Sequence, residues 1–157
     1  MQQAVTEGTP APAESGPGFA VTLTLQQGYQ FEAAFEDTAV PHLLVDEQPP
    51  LGDGVGPSPT RVLATAVGHC LSASLLFCLR KARIEPLDLK TTVQGSMVRN
   101  ERGRLRIGEL RVTLDPTFKL EDRERIGRCL EIFEDYCIVT ASVRRGIDVN
   151  VQVVPRP

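Results

Sequence analysis

The chain of 157 residues is of single-domain length, long enough to bury a core, and its 17 basic and 20 acidic residues leave a net charge of −3. No global basic field draws it to nucleic acid or an anionic membrane, so a small molecule or another protein is the expected partner. Four cysteines without a CxxC spacing, and only two histidines, supply too few ligands for a zinc site, and no metal or cofactor is expected.

Residues 1–18, MQQAVTEGTPAPAESGPG, read as a disordered leader, because their Pro, Gly, Ala, Ser, Thr and Glu cannot offset the entropy of ordering. No basic region precedes an apolar stretch there, so no secretory signal is expected. With no such signal, the cysteines read as free thiols of a cytoplasmic protein. Residues 19–157 then form one domain.

Phe19 to Phe35 predicts a hairpin, since FAVTLTL alternates apolar and polar positions before QQG turns into YQFEAAF. HLLVDE, His42 to Glu47, predicts a third strand, and the Pro/Gly stretch QPPLGDGVGPSP after it can only be loop. Ser58 is placed to cap the main helix, with Pro59 as its first residue. Leu63, Ala66, Val67, Cys70, Leu71, Ser74, Leu75, Cys78 and Leu79 fall on one broad stripe at i, i+3, i+4 spacing. The opposite side adds Thr65, Ser72, Leu76 and Phe77 but no charge, so the helix should be covered on most sides. A core helix explains the run from Val62 to Leu79 better than a membrane span, because it holds Gly68, His69 and several hydroxyls. The basic turn Arg80, Lys81, Arg83 suits the negative helix end, and Pro86 closes it.

Leu87 to Val98 and Leu105 to Leu114 alternate as a second hairpin around the turn NERGR, with a slip near Gly108. Its arginines belong to the wet face. A second helix is predicted from Leu120 through EDRERIGRCLEIFEDY, with Ile126, Cys129, Leu130, Phe133 and Cys137 along its apolar edge. Ile138 to Arg144 predicts a further helical turn or two, stopped by Gly146, and IDVNVQVV predicts a last strand. Strands, helix, strands, helix, strand is the order of an α+β fold with helices on a mostly antiparallel sheet.

The chemistry rests with the thiols. A reactive cysteine needs a stabilised thiolate, access for a small oxidant, and usually a second thiol to trap the sulfenic acid. Cys70 and Cys137 make such a pair if the fold joins their helices, whereas Cys78 and Cys129 read as small core hydrophobes.

GPSPTRVLATAVGHC, the apolar helix, the hairpin, and CIVTASVRRGIDVNVQV resemble the OsmC/Ohr family of bacterial thiol peroxidases over roughly Phe19 to Val154. The resemblance implies an intertwined homodimer in which mostly antiparallel sheets wrap around central helices. It implies an antioxidant oxidoreductase of the oxidative stress response, in which peroxidatic Cys70 attacks an organic hydroperoxide and Cys137 resolves, with a dithiol or lipoylated protein as reductant. Leu71, Leu75, Phe77 and Phe133 are expected to line an apolar pocket for the substrate.

The chain departs from the family pattern at the activating pair. Thr60 stands where the peroxidase branch has glutamate, no arginine precedes Arg61, and Ile138 replaces a usual proline. Burial without a nearby cation raises a thiol pKa. Arg61 from the first helical turn, His69 beside Cys70 and His42 from the strand region are the candidate substitutes. The alternative is a noncatalytic OsmC-fold protein that binds a small apolar ligand or senses redox state.

Overall fold

A computed structural model describes residues 16–36, 38–122 and 124–155. The leader's residues 1–15 lie outside the described residues. The chain divides into two compact units, Met1–Gly56 and Pro57–Pro157.

The first unit is an antiparallel three-stranded sheet in the order β1 (Val21–Gln27), β2 (Gln30–Phe35), β3 (Leu43–Val45). Alternation dictates these strands, and Gly28, with φ at 52°, takes the left-handed conformation that the tight turn between β1 and β2 requires. Phe31 pairs with both Leu25 and Val45, which fixes the register of all three strands. The Pro/Gly loop that follows is built around Asp46. Its carboxylate is buried and accepts N–H bonds from Glu47 (2.8 Å), Asp53 (3.1 Å) and Val55 (3.2 Å). One carboxylate satisfies three loop donors at once, which sequence patterning alone does not reveal.

The second unit is built on α1 (Pro59–Lys81), with Pro59 at the start and Ser58 in extended conformation before it. Ser58 does not cap through its side chain, as the sequence suggested. Its hydroxyl pairs instead with Thr60 Oγ1 at 3.1 Å. The stripe is buried as expected at Val67, Leu71, Ser74, Leu75, Cys78 and Leu79, but Ala66 faces outward. These residues form one core with Ile84, Cys129, Phe133 and Cys137. α1 is long and apolar enough to cross a membrane, yet its apolar stripe is spent on this core. Its end is a Schellman motif without a glycine: Arg83 takes φ of 59°, and the N–H groups of Arg83 and Ile84 bond the carbonyls of Arg80 and Leu79.

β4 (Asp88–Arg99) and β5 (Leu105–Thr117) form the second hairpin, with Gly108 as the extra residue of a bulge between the Ser96 and Met97 pairings. α1 lies against β4, where the Thr91 and Ser72 hydroxyls meet at 2.7 Å. Gly68 permits the close approach, since a Cβ there sits 2.6 Å from a methyl of Val93. Gly68→Ala gains roughly 1 kcal/mol of helix propensity, but forcing a methyl onto a stiff β-branched neighbour costs about 1–3 kcal/mol. Net destabilisation is expected in urea unfolding, and Val93→Ala in the same chain should restore most of it. A stabilised single variant would contradict this packing.

The predicted second helix is broken. A 3-10 turn at Leu120–Asp122 is followed by α2 (Gly127–Ile132) and a second 3-10 turn, Phe133–Tyr136. The polar run before Gly127 lacks apolar residues at helical spacing to bury, and Arg125 is held instead by Asp122 Oδ1 (3.0 Å) and the Ala82 carbonyl (2.8 Å). Leu130 faces solvent, whereas Ile132 packs on the core. α3 (Ile138–Arg145) then runs to Gly146, whose φ is 77°. The segment IDVNVQVV departs from expectation, because it pairs with none of the described strands. Its Ile147, Val149, Val151 and Val153 stay 64–82% exposed. Alternation supplies a strand-forming face, but a ladder also needs a neighbouring edge.

Candidate functional site: two thiols at the start of α3

Cys70 projects from the middle of α1 toward the first turn of α3. Its sulfur lies close enough to the backbone N–H groups of Val139 and Ile138, and to the thiol of Cys137, for each to influence its ionisation. Cys137 itself occupies the residue before α3. There its sulfur accepts from the Thr140 N–H at 3.4 Å and lies 3.0 Å from Thr140 Oγ1. Two cysteines remote in sequence therefore share one helix N-terminus, where partial positive charge favours a thiolate.

Their environments differ. Cys137 is fully buried and Cys70 is partly accessible. Burial and then the neighbouring Cys137 thiol push the Cys70 thiol up, against the opposing N–H groups of α3. Burial also pushes Cys137 up, but bonds from Cys70, the Thr140 hydroxyl and N–H, and Ser74 outweigh it and hold that thiol below the ordinary range. The first proton of the pair leaves the Cys137 side, and the titration belongs to the pair as a whole.

The consequence for pH has a definite sign. A thiol depressed in the folded state contributes stability that is complete above its unfolded pKa and is lost as pH falls through the folded value. Thiolate absorbance should therefore rise at lower pH in folded protein than in urea. Thr140→Val removes the hydroxyl beside Cys137 and should move the folded transition upward. An unchanged transition would mean that the hydroxyl does not stabilise the sulfur.

Thr140 also lines a cavity of about 410 Å³ with Leu63, Val67, Leu71, Val112 and Phe133, and an Arg144–Glu134 ion pair of 2.7 Å stands among its lining residues. Leu71 and Phe133 line this cavity, but neither Cys70 nor Cys137 is among its lining residues. Leu75 is instead packed in the core, and Phe77 lines a separate cleft beside Cys78. Thr60 is exposed, bonded to Ser58. Arg61 and His69 line a groove against Thr91 and Val93 on the β4 side of α1. None of the three is among the groups that set the ionisation of Cys70. His42 lies in the first unit, 3.3 Å from Glu32. No cluster of metal ligands occurs among the described residues.

The sequence reading missed Ser74 and Thr140. The Cys-x-x-Thr spacing of 137 and 140, a cap residue followed by its third helical position, was the available signal for the second.

Comparison with solved structures finds the same fold at low identity. An OsmC-like protein of unknown function from Vibrio cholerae aligns with a TM-score of 0.66 at 12% identity, over 80% of this chain and 93% of its own. An OsmC-like protein from Mycoplasma pneumoniae aligns at 0.65 and 14%, over 83% and 89%. The organic hydroperoxide resistance protein OhrB of Bacillus subtilis aligns at 0.56 and 23%, over 83% and 94%. Comparison with curated protein sequences gives no match. The family model described as OsmC-like protein matches residues 52–152, a span that runs from the loop before α1 through both cysteines to the exposed tail. With its antiparallel sheets and helices, this α+β chain belongs to the OsmC-like protein family.

Proposed function

We propose that the protein is a cytoplasmic, homodimeric thiol peroxidase that reduces organic hydroperoxides through Cys70 and Cys137. The observation that carries this reading is that Cys70 and Cys137, remote in sequence, stand beside one another at the start of α3 and shift each other's ionisation. Cys70 is the thiol a substrate meets, because Cys137 is enclosed.

The missing activating pair has a substitute in this arrangement. Cys137, once ionised, accepts the proton of the neighbouring Cys70, leaving a Cys70 thiolate facing the N–H groups of Ile138 and Val139. That thiolate attacks the distal peroxide oxygen, the O–O bond breaks, and Cys70 becomes a sulfenic acid. The departing alkoxide takes the proton held on Cys137 and leaves as alcohol. Cys137 thiolate then attacks the Cys70 sulfur and expels hydroxide, which protonates to water. One hydroperoxide is reduced and one dithiol becomes a disulfide. A dithiol or lipoylated protein restores the pair by exchange. The cavity that Thr140 lines, with Leu63, Val67, Leu71 and Phe133 as its apolar wall, suits the organic part of the substrate. Some structural neighbours are named as organic hydroperoxide resistance proteins, which agrees with this reading. The exposed alternating tail after Gly146 supports the homodimer, since a second copy supplies an edge for it.

Thr60 and Arg61 favour one other reading. With neither near the thiols' ionisation, an OsmC-fold protein that binds an apolar ligand or senses redox state needs no fast turnover. Cumene hydroperoxide consumption with dihydrolipoamide as reductant separates the two. Multiple turnovers per protein are expected of the peroxidase. Tight binding of an apolar dye without peroxide loss supports the binder.

A further inference from the structure

Two turns of α1 beyond Cys70, roughly 12 Å along the helix axis, Cys78 meets Cys129 of α2. The two thiols are close enough for Cys78 to shift the ionisation of Cys129, and both are free and buried. Both line a cleft of about 380 Å³ whose other lining residues include Lys81, Arg125 and Arg128. Arg125 is committed to Asp122 and the Ala82 carbonyl. Lys81 and Arg128 make no ion pair among the described residues. Lys81 Nζ stands 5.7 Å from the centre of the Phe77 ring, which itself packs on Tyr136 at 5.4 Å. A dithiol, two uncommitted cations and an aromatic wall thus converge at one place. The sequence offered these cysteines only as core filling.

We propose that Cys78 and Cys129 are a second, exchange-active dithiol whose partner is a small disulfide bearing carboxylates, and that exchange ties α1 to α2 by a Cys78–Cys129 disulfide. The cations attract the carboxylates and place the disulfide over the sulfurs. Cys78 initiates, because Lys81 lies one turn further along the same face of α1. Its thiolate attacks one sulfur of the partner, releasing a thiolate and leaving a mixed disulfide. Cys129, pushed up to about 11 by burial and then by the neighbouring Cys78, remains the protonated reserve. It passes its proton to the second leaving thiolate as it attacks the Cys78 sulfur. The protein loses two electrons and two protons, and the partner becomes two thiols. Cys70 and Cys137 take no part, being two helical turns away.

The test uses the full chain with Cys70→Ser and Cys137→Ser, so it is independent of peroxide turnover, and oxidised glutathione as probe. Mass analysis should show the loss of two hydrogens and a Cys78–Cys129 linked peptide. Lys81→Glu with Arg128→Glu should slow the reaction about tenfold with oxidised glutathione and accelerate it with the dication cystamine. If the double serine variant fails to fold, the same peptide is sought in wild-type protein. No linked peptide, a mixed disulfide that never resolves, or rates indifferent to probe charge would overturn the proposal.

Discussion

Cys70→Ser is expected to lower hydroperoxide consumption by roughly a thousandfold or more, because a serine hydroxyl cannot carry the sulfenic acid on which the cycle depends. The loss should appear in the first turnover as well as in steady state. Cys137→Ser should behave differently. It removes both the proton acceptor and the resolving thiol, so the first oxidation should slow, the sulfenic acid should persist long enough to be trapped by dimedone, and turnover should stop. Stopped-flow oxidation with cumene hydroperoxide distinguishes these outcomes. Retention of a wild-type first turnover by Cys70→Ser would transfer the attacking role to Cys137, where the hydrogen bonds of Thr140 and Ser74 already stabilise a thiolate.

Leu75→Ala is expected to cost about 2–5 kcal/mol, the range for emptying a closed core site. Leu75 is 1% exposed, and it follows Ser74, which helps to set the Cys137 thiol. Its place between the Cys70–Cys137 and Cys78–Cys129 contacts means that α2 and α3 dock on α1 through the same stripe. The urea midpoint should fall with the slope unchanged, as for a loss of stability without a change in the surface exposed. A loss below about 1 kcal/mol would mean that neighbouring side chains refill the space.

The sequence made the scaffold legible wherever period and punctuation agreed. Alternation gave the hairpins, Pro59 and the buried stripe gave α1, and the slip at Gly108 marked a true bulge. Failures arose where tertiary contacts decide. Arg83 ends α1 in a left-handed conformation that normally advertises itself with glycine. Arg125, bonded to Asp122 and the Ala82 carbonyl, belongs to the polar run where the expected long helix is broken. The tail carried a strand pattern, but pattern does not provide an edge to pair with. At the site, the two cysteines were found by type and distance along the chain. Their polarity was hidden, because it comes from α3 arriving end-on with two backbone N–H groups and the hydroxyl of Thr140. The proximity of Cys78 and Cys129 was hidden too, because it comes from α2 docking on α1.

The most direct measurement is peptide mapping after one equivalent of cumene hydroperoxide, with free thiols alkylated before digestion. The account predicts a Cys70–Cys137 linked peptide formed in step with alcohol release and reversed by dihydrolipoamide. Peroxide consumed without that link, or both thiols alkylated after the oxidant is gone, would contradict it.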